Sequence, residues 1–112
     1  MMLKYRNKIT VVANIKFRSK AEAKRYQELR LLEKAGEIGE LQLQPRYPLE
    51  VNNIPITIYI ADFSYYEYKK RTGQRQRTIE DVKGQKSGAA YNLFKIKKRL
   101  MLALYGICIQ ET

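Results

Sequence analysis

The 112-residue chain has no histidine, a single cysteine, three prolines and half as many acidic as basic residues. Without histidine, Ser-His and Cys-His nucleophile pairs, HExxH zinc sites and imidazole general bases are excluded together. Cys108 alone makes neither an internal disulfide nor a cysteine-based zinc cluster. Within Ile107-Cys108-Ile109 it is expected as a small buried residue. No run approaches the roughly 20 apolar residues of a membrane span, and the Met1-Met2-Leu3-Lys4 start lacks the apolar stretch of a secretory signal. The expectation is a cytoplasmic protein with no membrane partner, whose chemistry falls to carboxylates, lysine, arginine, tyrosine or serine.

What is present is basic and aromatic. Lys and Arg number 22 against 11 Asp and Glu, and a net charge of +11 on so small a chain creates a field that attracts polyanions. Nucleic acid is the first candidate partner. A merely solvated basic surface and a peripheral membrane protein compete with it, but the basic residues do not flank an amphipathic apolar face. The acidic residues suffice for a hard cation, since Mg²⁺ and Mn²⁺ need only a few carboxylates beside water and phosphate. Nine Tyr and three Phe within a 45% apolar composition provide a core, and the length fits one domain over residues 1–112. Residues 1 to 15, with the basic segment Lys4 to Lys8 followed by Ile9 to Ala13, read as a basic arm or an extra strand.

Ser19-Lys20-Ala21-Glu22 has the capping-box pattern, and helix formers continue to Ala35 before Gly36. A first helix is therefore expected over about 20 to 35, with Ala23, Tyr26, Leu29 and Leu32 as its apolar stripe. The period then changes to two: Leu41, Leu43, Tyr47, Leu49 and Val51 alternate, with Pro45 and Pro48 restricting them to an edge or bulged strand. After the Asn52-Asn53 turn, Ile54 to Tyr66 is β-branched and aromatic on both faces, as a central strand requires. Lys69 to Arg75 reads as a turn leading to a strand at about Thr78 to Lys83. Leu93, Ile96, Leu100 and Ala103 mark a second helix over about 90 to 104, which Gly106 ends before a last strand at Ile107 to Gln110. The expected fold class is α/β, in the order αβββαβ, with a mixed sheet flanked by helices.

The only two aspartates, Asp62 and Asp81, fall near the ends of predicted core strands. A carboxylate ending an apolar strand needs a cation or a basic partner, because unpaired burial costs several kcal/mol. Asp81 and Lys83 lie two apart and share a strand face, while Glu80 and Val82 point to the other. On adjacent strands, two carboxylates can chelate one divalent cation at a phosphate, with Lys83 orienting water or holding developing charge. The plain alternative is a same-strand ion pair with Asp62 capping a loop. Glu22 has two readings as well: it reaches back to the helix cap, or it faces the sheet with Tyr26 and Leu29 and joins the site at a helix N-terminus.

Glu22 on a helix, Ala61-Asp62 at a strand end and Asp81-Val82-Lys83 on the next strand resemble the PD-(D/E)XK nuclease superfamily, which includes restriction endonucleases and Holliday junction resolvases. The phrases Phe17-Arg18-Ser19-Lys20-Ala21-Glu22-Ala23, Tyr59-Ile60-Ala61-Asp62-Phe63 and Ile79-Glu80-Asp81-Val82-Lys83-Gly84 are similar to a family of small phage and prophage proteins of unknown function assigned to that fold. The resemblance covers about residues 15 to 111. It implies a restriction-endonuclease-like core and makes Glu22, Asp62 and Asp81 metal ligands or water positioners, with Lys83 the catalytic lysine. Ala61 stands where the motif has proline, and Glu80 is an alternative to Asp81.

The implied activity is Mg²⁺- or Mn²⁺-dependent hydrolysis of DNA phosphodiesters, with no small-molecule cofactor, by an endonuclease or junction resolvase that is expected to be homodimeric because so short a chain has little surface for sequence readout. Lys86, Lys95, Lys97, Lys98 and Arg99 are the expected phosphate contacts, with Lys69, Lys70 and Arg71 at a basic hairpin tip. Gln44 is a further candidate near the site. The rivals are a noncatalytic DNA-binding module on the same fold and an interaction protein using Tyr59, Tyr65, Tyr66 and Tyr68 as a contact surface.

Overall fold

The computed structural model describes residues 9–112, so the basic segment Lys4 to Lys8 lies outside the described residues. Of the two readings for the stretch after it, the strand is observed. β1 (Thr10–Val12) pairs antiparallel with β2 (Ile15–Phe17) through a turn at Ala13 and Asn14, both at positive φ. Two such residues give the turn a twist that suits the strands it joins.

The first helix, α1 (Lys20–Lys34), starts where the capping pattern places it, with the Ser19 side chain accepting the Glu22 backbone N–H at 3.2 Å. Ala23, Tyr26 and Leu29 are buried, whereas Leu32 is at the surface. At 3.6 residues per turn Leu32 lies about 80° around the helix from the Glu22, Tyr26 and Leu29 line, which removes it from the packed stripe.

The main sheet has four strands in the order β3 (Ile38–Leu43), β6 (Phe63–Lys69), β7 (Gln74–Asp81) and β8 (Gln110–Glu111). Pairing is antiparallel until β7 meets β8, which runs parallel to it, so the sheet is mixed. Between β3 and β6 the chain leaves the sheet to form a separate antiparallel ribbon of β4 (Arg46–Val51) and β5 (Ile54–Ile60). Asn52 and Asn53, both at positive φ, turn the ribbon. Among the described residues the fold is thus mixed α/β with two helices.

This ribbon corrects the expectation of one central strand from Ile54 to Tyr66. The run is two strands broken at Ala61-Asp62, and in β5 only Tyr59 is buried. Apolar residues on both faces indicated a strand covered on both sides, but among the described residues β5 pairs with β4 alone and its isoleucines face outward. Farther on, β7 begins at Gln74 and ends at Asp81, so Lys83 follows the strand instead of lying within it.

α2 (Ala89–Tyr105) slightly exceeds its expected span, and Gly106 closes it in the left-handed region at φ 68°. Its packed face differs from the predicted stripe. Phe94 and Met101 are buried, while Leu93 and Ile96 are more than half exposed. Aromatic packing sets the rotation: Phe94 lies 6.3 Å from Tyr59 and 5.8 Å from Tyr91 between ring centroids. The last strand shortens to Gln110–Glu111, and alternation in the extended segment buries Ile109 while leaving Cys108 exposed, contrary to the sequence reading.

Two cores form on opposite sides of the sheet. Phe63 and Tyr65 pack with Phe17, Tyr26, Leu29 and Ile38 beneath α1. Ile79 packs with Tyr47, Leu49, Tyr59, Phe94 and Met101 beneath the ribbon and α2. Period-two alternation along β6 and β7 distributes neighbouring residues between these cores. No described helix is long and apolar enough to cross a membrane.

Candidate active site

The crossing from ribbon to sheet fixes Asp62 by its backbone. Ala61 N–H donates to the Pro45 carbonyl at 3.1 Å, Asp62 N–H to the Glu80 carbonyl at 3.1 Å, and Gln44 N–H to the Asp62 carbonyl at 3.0 Å. Ala61 is 1% exposed, so the chain is clamped on both sides of this step. The Asp62 side chain then accepts the Val82 N–H at 2.7 Å, tying it to the end of β7.

Asp81, the last residue of β7, points into the same space. Its carboxyl bonds to that of Asp62 and accepts the Tyr59 hydroxyl, and Lys83 Nζ stands 3.6 Å from its Oδ1. Lys83 also lies 3.9 Å from the centre of the Phe94 ring, a contact that restrains the ammonium at the cleft wall. Glu22 arrives from the first turn of α1, buried, with its side chain bonded to Asp62. The helix cap therefore uses the Glu22 backbone, leaving the carboxyl for the cluster.

Three acids crowded out of water hold protons more tightly than usual. Burial pushes the Asp81 carboxyl up to about 7, reinforced by its hydrogen bond and charge repulsion with Asp62. Asp62 is raised by burial against the opposing bonds from Asp81 and Val82 N–H. Glu22 is raised by burial and by Asp81, with Arg18 opposing. Tyr59 is held well above the usual phenol range, first by burial and then by the Asp81 charge, so it remains a hydrogen-bond donor.

Glu80 occupies the other face of β7. It is fully buried and grips Arg25 of α1 bidentately at 2.8 and 2.7 Å, while the Tyr65 and Thr112 hydroxyls also bond to it. Burial alone would raise its carboxyl, but these bonds bring it below the ordinary range. Glu80 is thus committed to a structural ion pair and turned from the cleft, and of the two adjacent acids it is Asp81 that faces Asp62.

A cleft of about 790 Å³ contains Glu22, Asp62, Asp81 and Lys83, with Arg18, Gln44 and Lys97 among its walls. Lys97 is the one expected phosphate contact on this wall. Lys98 is paired with Glu111 at 2.8 Å, Lys86 lies 3.9 Å from the same carboxylate, and Lys95 and Arg99 are exposed on α2. Lys69, Lys70 and Arg71 are not brought to the cleft: they cap the far end of β7, about 23 Å from Asp81 at about 3.3 Å per residue. Lys70 there pairs with Glu37. The tyrosine contact surface is also revised, because Tyr59 and Tyr65 are buried hydrogen-bond donors.

Sequence reasoning missed Tyr59 and Arg18. The sequence pattern places Tyr59 only in a tyrosine contact surface, although its position three residues before Asp62 is a signal that it lies near the same crossing. Arg18 directly precedes the cap of a helix whose first turn carries Glu22, a position suited to an anion near a helix N-terminus.

The donor set is all oxygen, which suits a hard divalent cation. Among the described residues no three side chains of the ligating types are arranged as a finished metal cage. A site for Mg²⁺ needs only one or two carboxylates with water and phosphate. A buried carboxylate cluster thus stands at the strand ends of a mixed sheet and shares its cleft with Arg18, Lys83 and Lys97. The chain belongs to the family described as "Protein of unknown function (DUF1064)", whose model matches residues 2–106. No curated protein and no solved structure matches it.

Proposed function

We propose that this protein is a restriction-endonuclease-like, Mg²⁺- or Mn²⁺-dependent phosphodiesterase that cuts DNA as an endonuclease or junction resolvase. The observation that carries the reading is the convergence of Glu22 from α1, Asp62 from the step between β5 and β6, and Asp81 and Lys83 from the end of β7 into one cleft of a chain with net charge +11. With the β1–β2 hairpin and the β4–β5 ribbon taken as additions, the order α1, β3, β6, β7, α2, β8 supports this reading, although its strands are not the three that the sequence pattern marked.

Asp62 and Asp81 would hold the cation, with Glu22 as a further ligand or water positioner. A bound cation neutralises charge at the scissile phosphate and makes water a better nucleophile at neutral pH. Arg18 and Lys97 attract the phosphate backbone to the cleft, and Lys83 places a positive donor where phosphoryl charge develops. Tyr59, by donating to Asp81, sets the orientation of that carboxyl.

The test pairs binding with cutting. Calorimetry is expected to detect Mn²⁺ binding that Asp62→Asn abolishes, and the wild-type chain with Mn²⁺ is expected to nick linear, branched or single-stranded DNA. A chain that binds DNA but neither binds Mn²⁺ nor nicks any of these substrates is a noncatalytic DNA-binding module, and the enzyme reading fails.

A further inference from the structure

Alternation along the β6–β7 ladder places Tyr66 and Tyr68 on one face of the sheet, with Arg77 and Arg75 directly opposite them. The same face of β7 carries Asp81, and the ribbon crosses it in between: Tyr47 accepts from Arg77 at 3.0 Å on one side, and Tyr59 donates to Asp81 on the other. Tyr68 lies across β3 at Gly39, where a Cβ would overlap its hydroxyl. A residue without a side chain thus lets this ring lie down on the strand, and Tyr68 remains 43% exposed. Beside it the Arg75 guanidinium stands 4.4 Å over the centre of the Tyr66 ring and pairs with Glu40 at 2.9 Å. A recess of about 140 Å³ on this face is lined by Gln42, Ser64, Tyr66 and Arg77. The Ser64 hydroxyl donates to Gln42 Oε1 at 3.3 Å, which leaves the Gln42 amide N–H groups without a partner among the described residues.

We infer that this face binds an unpaired DNA strand, with bases stacked on Tyr68 and on the Arg75 guanidinium and phosphates drawn by the basic β6–β7 turn. Unpaired bases are held by stacking on aromatic rings and guanidinium planes, whereas bases within a duplex already stack on one another. Charge selects the polyanion. Residues 69–77 contain five basic and no acidic side chains, and Glu37 and Glu40 pair with only two of the five. The Gln42 donors at the recess suit the acceptor edge of a base. This inference rests on the DNA reading of the cleft and narrows its substrate. Arg75 and Asp81 are six residues apart on β7, or about 20 Å at 3.3 Å per residue, with the ribbon between them. A forked DNA therefore reaches both sites at once, its unpaired arm on the sheet face and the phosphates at the fork in the cleft.

Fluorescence anisotropy of the full chain in chelator measures binding with no strand cut. A labelled oligothymidylate of about 15 nucleotides is expected to bind, and Tyr68→Ala to weaken that binding about tenfold while weakening a blunt duplex of the same length less than about twofold. Tyr68→Phe keeps the ring and is expected to stay within about twofold of the wild type on the single strand, and Arg75→Met to weaken it about fivefold. Circular dichroism confirms the fold of each variant. A wild-type chain that does not bind the oligothymidylate overturns the inference, as does a single-strand affinity indifferent to Tyr68→Ala or lowered as much by Tyr68→Phe. Equal losses on single strand and duplex assign the face to double-stranded backbone and overturn it too. Single-strand binding through Tyr68 in a chain that neither binds Mn²⁺ nor nicks DNA upholds this inference and removes the nuclease reading alone.

Discussion

Glu80 and Asp81 are adjacent in sequence, lie on one strand, and are both buried, yet the regions around them follow opposite electrostatic rules. Behind the sheet, Glu80 meets a guanidinium and two hydroxyls that together stabilise its charge. In front, Asp81 meets Asp62, with Glu22 just beyond, and burial there favours keeping a proton. The first arrangement is complete in itself. The second improves when positive charge arrives, which is the property expected of a cation site and not of a structural ion pair.

The largest expected effect separates the two acids by role. Asp81→Asn is expected to lower Mn²⁺-dependent nicking by on the order of 10² to 10³, whereas Glu80→Gln leaves nicking within about tenfold while lowering stability. Equal losses in plasmid-nicking rate from both substitutions would break the distinction. Next, Arg25→Met strands a fully buried Glu80 charge and is expected to cost about 3 to 5 kcal/mol in urea unfolding at pH 7.

The pH dependence of stability, measured in chelator, sharpens the contrast by its sign. Asp81 binds its proton more tightly folded than unfolded, where its ordinary value is 3.8. Its contribution to stability is complete below that value and is lost as pH rises to about 7. Glu22 and Asp62, also raised, act in the same direction. Glu80 is lowered, so its contribution is present above the ordinary glutamate range and is lost only as pH falls beneath it. Between pH 5 and 8 the wild type is therefore expected to lose about 2 kcal/mol, and Asp81→Asn to flatten that slope. The smallest effect belongs to Tyr59→Phe. Removing the donor from Asp81 is expected to weaken Mn²⁺ binding about tenfold in calorimetry with little change in fold.

Legibility of the fold followed how local its causes are. The Ser19 cap, the Gly106 stop and the Asn52-Asn53 turn were readable because a few neighbouring residues decide each of them. The ribbon was not readable. Isoleucine on alternate positions of β5 has the same pattern whether the face meets a core or lies open, and only the departure of β4 and β5 from the sheet distinguishes these cases. α2 presents a similar ambiguity, since Leu93 and Ile96 form as good a stripe as Phe94 and Met101, and the rings of Tyr59 and Tyr91 chose between them.

The candidate site divides the same way. Sequence alone determined its chemical alphabet: no histidine, two aspartates, a lysine two residues after one of them and a glutamate in a helix's first turn. The period of a strand also separated Glu80 from Asp81, because opposite faces are a consequence of backbone geometry. What only the tertiary structure decided is which face meets which partner. Arg25 reaches Glu80 across 55 residues, and Tyr59 reaches Asp81 across 22. Proximity across such separations depends on how the layers stack, and no local pattern records it.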